Sequence, residues 1–118
     1  MREIKFRAWD RLSKQMFIWN VTETFNDQEY YLALDCDSGL MQFTGLTDKN
    51  GVEIYEGDIY HQGDPKIRYL VIFRNGQFVG NQIGNKSLSG INHWLDRIVV
   101  VGNQHENPEL IDKGDKHE

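Results

Sequence analysis

The sequence predicts a mainly β fold: a small, strongly bent barrel with an N-terminal β-hairpin and short helical turns. Three observations lead there. About six to eight short segments carry apolar residues at period two or in β-branched runs, the spacing that sends side chains to alternate faces of a strand. Asn50-Gly51 and Asn75-Gly76 fall between such segments, and Asn-Gly supplies the positive φ that a tight hairpin turn needs. No stretch holds a helical period over a long window.

The elements follow in order. Ile4, Phe6 and Ala8 alternate with Lys5, Arg7 and Trp9, which predicts a first strand. Polar residues from Asp10 to Lys14 separate it from Met16-Phe17-Ile18-Trp19, a second strand rich in aromatic and β-branched residues. The two make a hairpin flanked by Trp9 and Trp19, whose rings suit packing at a core or an edge. Residues 20–29 read as a loop. Tyr30-Tyr31-Leu32-Ala33-Leu34 fits a strand or a short helix, and Asp37-Ser38-Gly39 is a turn. Leu40 to Thr44 is a strand, and Thr47 to Gly51 is a turn. Val52 to Tyr60 alternates imperfectly, with a bend at Gly57-Asp58. Ile67 to Phe73 gives the clearest strand, turned by Asn75-Gly76 into Gln77-Phe78-Val79. Residues 80–90, with three Gly and two Asn, read as a mobile loop. Trp94 and Leu95 anchor an ambiguous stretch before Ile98-Val99-Val100-Val101, which reads as a buried strand. Pro108 opens one helical turn near the C-terminus.

With 118 residues the chain makes one core. The expected organisation is a single domain over 1–111, with the hairpin at 2–19 and the barrel at about 40–104, then a frayed polar tail at 112–118. One Cys excludes an internal disulfide and suits a reducing compartment. The N-terminus has no apolar signal region, and no apolar run is long enough to span a bilayer, so a cytoplasmic protein without membrane contact is expected. Residues 1–14 hold five basic and two acidic groups, whereas residues 15–64 hold one basic and ten acidic groups. Segments of opposite sign attract within a subunit or between subunits, or stand apart as solvated faces. The overall charge of −5 disfavours a protein that wraps duplex nucleic acid.

Motifs for catalysis are missing. There is no GxSxG elbow, phosphate-cradling glycine loop, CxxC, HExxH or calcium loop, so no cofactor and no metal are expected, and the chain does not read as an enzyme. Asp35-Cys36-Asp37 is acidic and compact, but a strand would turn Cys36 away from both carboxylates. A small metal-dependent hydrolase would need Asp35, Asp37, Asp58 or His61, His93 and His105 gathered by folding. Asp58 after Gly57 is better suited to accepting backbone N–H groups in the bend. Arg2, Lys5, Arg7 and Arg11 with Trp9 form a basic, aromatic ribbon, on which Arg7, Trp9 and Arg11, with Trp19, are the candidate binding residues. Lys66, Arg68 and Arg74 with Tyr69 offer a second such strip. Basic grooves with stacking aromatics bind single strands on small barrels, so a single-stranded nucleic-acid module is the alternative.

Three stretches resemble the YopX family of phage and prophage proteins. They are Arg2-Glu3-Ile4-Lys5-Phe6-Arg7-Ala8-Trp9-Asp10, the stretch from Met41-Gln42-Phe43-Thr44-Gly45 through Asn50-Gly51 and Glu53-Ile54-Tyr55-Glu56-Gly57-Asp58-Ile59, and Val101-Gly102-Asn103 followed by Glu106-Asn107-Pro108-Glu109-Leu110. Regions 20–38 and 80–96 match only loosely. The resemblance implies a β-rich fold with an SH3-like barrel after the Gly-Asp bend, a home in the bacterial host of a phage, and association between subunits. It brings no catalytic residues, cofactor or substrate class. Within the motif, Gly45, Gly51 and Gly57 permit tight backbone paths. Tyr55 and Ile59 are expected to plug the barrel, and Asn107-Pro108 to fix the C-terminal turn. The reading is therefore a non-enzymatic binding or oligomerisation module. Its partner is a second copy or a phage or host protein, and its contact surfaces are the N-terminal ribbon and the exposed aromatics.

Overall fold

The computed structural model describes residues 5–20 and 40–111. The expectations for residues 1–4, for 21–39 (the Tyr30–Leu34 segment, Asp35-Cys36-Asp37 and the Asp37–Gly39 turn) and for the tail at 112–118 lie outside the described residues.

The chain is mainly β, with nine strands in two antiparallel sheets among the described residues. Strands β1 (Lys5–Asp10), β2 (Gln15–Asn20), β3 (Leu40–Thr47) and β4 (Glu53–Tyr55) form one sheet in the order β2-β1-β3-β4. Strands β5 (Asp58–His61), β6 (Arg68–Arg74), β7 (Gln77–Gln82), β8 (Leu88–Gly90) and β9 (Val99–Asn103) form a half-barrel in the order β8-β7-β6-β5-β9. A 3-10 turn covers Asn92–Trp94, and residues 109–111 begin a short helix just after Pro108. Among the described residues no helix is long and apolar enough to cross a membrane.

Turn chemistry fixes the registers. Asn75 and Gly76 both have positive φ, 54° and 83°, and join Arg74 directly to Gln77 in a two-residue hairpin. The register of β3 on β4 shifts between Phe43 and Thr47, and Gly45 lies inside that bulge with φ 87°. Thr44 locks it: its hydroxyl donates to the Ile54 carbonyl at 2.7 Å and accepts from the Leu46 N–H at 3.1 Å. A second bulge, where β5 pairs with β9, passes from Ile59 opposite Gly102 to Tyr60 opposite Val100. It leaves Val101 without a place in the pairing and turned outward.

Three expectations are corrected. Residues 80–90 are ordered rather than a mobile loop: β7 continues to Gln82, and the chain returns as β8 through a turn closed by Gln82 N–H to the Ser87 carbonyl at 2.7 Å. The run Ile98–Val101 is not uniformly buried. Ile98 precedes the strand and is fully buried, whereas β9 is an edge strand, half-buried where it pairs with β5. The barrel is plugged by Ile54 and Tyr60 with Val71, Ile91 and Ile98, not by Tyr55 and Ile59. The Glu56-Gly57 turn sets this phase. Strand residues alternate in side, so Ile54 and Tyr60 share the barrel face, and Tyr55 turns to Phe43, 5.3 Å away between ring centres.

Candidate functional site

The candidate surface is the N-terminal hairpin and the seam that holds it. The β1–β2 turn is built by Asp10. Its carboxylate accepts from the Leu12 N–H at 3.0 Å and from the Ser13 hydroxyl at 2.8 Å, and its carbonyl accepts from the Lys14 N–H. The Ser13 hydroxyl, and then the Leu12 N–H, hold the Asp10 carboxyl below the usual carboxylate range.

Strand β1 pairs on both sides, with β2 along its whole length and with β3 only from Phe6 to Ala8. Its alternate residues Lys5, Arg7 and Trp9 all reach the rest of the domain. Lys5 pairs with Glu53 and lies over the Phe43 ring. Arg7 donates to the Asp58 carboxylate at 2.7 Å and stacks over Tyr55 at 4.7 Å. Trp9 lies parallel to the His105 ring, with centroids 6.4 Å apart and planes 9° apart.

Of the predicted binding residues, Arg7 is therefore no contact-surface residue. Its exposure is 7%, and its guanidinium is turned inward to the Gly57-Asp58 bend. Trp9 is half-buried, and with the exposed Arg11 it lines a shallow cleft of about 680 Å³ between the hairpin turn and the C-terminal turn. Lys14 stands on the hairpin bank of that cleft, while Glu106 and Glu109 stand across it. Trp19 lies opposite Phe6 in the register, three rungs from the Trp9–Met16 pair, and its side chain is outside the described residues. The second basic strip is divided. Arg68 donates to the Pro65 and Leu110 carbonyls, and Tyr69 stacks on Tyr60 at 5.2 Å.

The family-motif residues are placed as follows. Gly51 turns with φ 84° and donates to the Asp48 carbonyl at 3.0 Å. Asp48, buried, ties this turn to the half-barrel: one oxygen accepts from the Asn50 and Val52 N–H groups and the other from the Val100 N–H. Gly57 has φ 91°, and a Cβ there would come 2.9 Å from the Met41 sulfur. Asp58 accepts from the Tyr55 N–H at 2.7 Å on the oxygen that Arg7 leaves open. Burial raises its pKa against the pull of Arg7. Burial, followed by the charge of Glu53, likewise raises the Tyr55 phenol. Asn107 accepts from the Asn103 N–H at 3.1 Å, and Asn103 in return accepts from the His105 and Glu106 N–H groups, which fixes the turn entered by Pro108.

Among the described residues no three His, Cys, Asp or Glu side chains are placed to hold a metal ion. His61 accepts from the Gly63 N–H in its own loop, His93 is exposed on the 3-10 turn, and Asp58 is enclosed by Arg7 and Tyr55. Sequence reasoning missed two features. The first is His105 as the partner of Trp9, which the Asn103–Asn107 turn alone brings near. The second is the apolar exposure of β2, where Phe17 on one face is 37% and Ile18 on the other 56% exposed, with Leu12 in the preceding turn at 96%. The signal for that exposure was present in Met16-Phe17-Ile18-Trp19, which is apolar on both faces of a strand that is covered on one edge only.

A family model described as YopX protein matches residues 5–112. The crystal structure of protein EF1440 from Enterococcus faecalis is 32% identical and superposes with a TM-score of 0.63, covering 92% of this chain and 97% of that one. No curated protein matches the chain.

Proposed function

The chain belongs to the YopX family, and from that premise we propose that it is a non-enzymatic binding module, carried by a phage or prophage, that associates with itself in the bacterial cytoplasm through the N-terminal hairpin. One observation carries this reading. Strand β2 stands at the edge of its sheet among the described residues, and Gln15–Asn20 contains no charged residue, while Phe17 and Ile18 are exposed on its two faces. Exposed edges are usually blunted by charge, proline or a bulge. An uncharged edge is self-compatible, because two copies meeting about a two-fold axis bring no like charges together. Two antiparallel β2 strands then continue one sheet across the axis, with Phe17 on one face and Ile18 on the other each set beside side chains of the neighbouring strand.

Size-exclusion chromatography with light scattering tests this. The intact chain runs as a dimer or larger species, and Ile18→Lys shifts it to a monomer with an unchanged circular dichroism spectrum. A strict monomer at high concentration removes the reading. A second reading, single-stranded nucleic-acid binding, draws on Trp9 with Arg11 and Lys14 at the cleft. It is weakened by Glu106 and Glu109 on the opposite bank, which repel phosphates. Absence of salt-sensitive binding to short oligonucleotides at low salt disposes of it.

A further inference from the structure

The distal part of the hairpin is seated differently from its base. Pairing of β1 with β3 stops at Ala8. Beyond it, the stack of Trp9 on His105 carries the hairpin turn onto the C-terminal turn. His105 is held by its backbone, whose N–H donates to the Asn103 side-chain oxygen at 3.0 Å. Its ring nitrogen Nε2 is buried and has no hydrogen-bond partner. The charged groups around the ring come from three elements. β1 contributes Arg7, itself paired with Asp58. The hairpin turn contributes Arg11 and Lys14, and the histidine's own turn contributes Glu106 and Glu109.

A neutral imidazole suits this setting and an imidazolium does not. The cation carries an N–H on both nitrogens, so Nε2 becomes a buried donor without an acceptor. The charge also arises on the side of Arg7. Attraction of a cation to an indole face reaches about 6 Å, and the centroids here are 6.4 Å apart. Glu106 favours the cation and opposes these effects. We propose that protonation of His105 releases the distal half of the hairpin, residues 9–16, from the C-terminal turn, so that the Trp9–His105 stack is a pH-operated latch. The direction of titration agrees: burial first, then Arg7, holds the imidazole below the ordinary histidine value. With the folded value lowered, the seat is complete above about pH 6.5 and is lost as pH falls towards the lowered value. The latch stands whether or not β2 pairs with a second copy.

Amide hydrogen exchange followed by NMR tests it in the intact chain, with rates corrected for their intrinsic pH dependence and β6 as the internal reference. Between about pH 7.5 and about pH 5, exchange at residues 9–16 is expected to rise roughly tenfold, which is about 1.4 kcal/mol on the opening equilibrium. Exchange in β6 stays level. Contacts between the Trp9 and His105 rings disappear over the same range. In His105→Phe, or His105→Gln should the first fold poorly, exchange at the hairpin does not respond to pH. No rise in the wild type overturns the latch, as does an equal rise in the variants. Titration of the His105 ring at or above the ordinary histidine value does the same.

Discussion

Replacing Arg7 by Met isolates what the seam contributes. The Arg7–Asp58 pair is 2.7 Å long, with the two side chains 9% and 4% exposed. Without the guanidinium, Asp58 keeps the Tyr55 N–H and loses its counter-charge. A carboxylate left buried and unpaired costs roughly 3–5 kcal/mol. In a chain of this size that is a fall of roughly 10–20 °C in Tm. The carboxyl has an escape, which is to take up a proton. Burial already raises its pKa in the wild type, and removing Arg7 raises it further. An acid with a raised folded pKa loses stability as pH climbs from its unfolded value through its folded one, at about 1.4 kcal/mol per unit. The gap between Arg7→Met and wild type is therefore widest at high pH and narrows on acidification. The double variant Arg7→Met/Asp58→Asn retains an acceptor for Tyr55 and removes the charge, and it recovers most of the loss, because replacing both partners is far milder than orphaning one. Urea unfolding of the three proteins at about pH 8 and about pH 5 measures all of this. The reasoning is refuted if Arg7→Met stays within about 1 kcal/mol of wild type at both pH values, if the gap widens on acidification, or if the double variant is no better than the single one.

Two further substitutions probe the half-barrel and its seam. A Cβ at Gly80 would overlap the hydroxyl of the fully buried Tyr60 and come 3.2 Å from the Tyr69 Cβ. Gly80→Ala is expected to lower stability by about 1–3 kcal/mol in thermal melts, and Tyr60→Phe combined with it to return part of that. Asp48→Asn keeps the shape but only one acceptor oxygen, so either the Asn50 and Val52 N–H groups or the Val100 N–H faces an NH2 group. The expected loss is about 1–3 kcal/mol in urea unfolding, with the Val100 amide proton among the most shifted in an NMR spectrum.

Local order was legible and its assembly was not. Asn75-Gly76 and Gly57 announced their turns because the positive φ they need falls on Asn and Gly, which adopt it most cheaply, and the period-two runs announced their strands. Residues 80–90 misled because Gly and Asn favour turns, yet pairing of Asn81 with Leu88 and Gly80 with Ser89 outweighs that preference. Tyr55 and Ile59 misled by one residue of phase, since alternation says which residues share a side and not which side is the barrel. Lys5 and Arg7 looked like a basic face because their partners, Glu53 and Asp58, lie about fifty positions away. The opposed charges of the first two segments were the only sequence trace of those partners.

That trace also bears on where function can reside. The stretches that carry the family resemblance converge on one seam, the third through the Gln104-His105 pair that joins its two parts: Arg7 meets Asp58, Trp9 meets His105, and the Gln104 N–H donates to the Gly57 carbonyl at 3.0 Å. Their polar groups are largely engaged with one another. Asp58 is held by Arg7 and Tyr55, and Asn103 and Asn107 bond within one turn. A carboxylate enclosed in this way is a poor proton acceptor for an outside substrate, because using it means breaking a buried pair. The motif residues are therefore best understood as determinants of how the hairpin is mounted. What the mounting presents is the uncharged strand β2, with Phe17 and Ile18 exposed on its two faces, and the residue proposed to make the mounting respond to pH is His105.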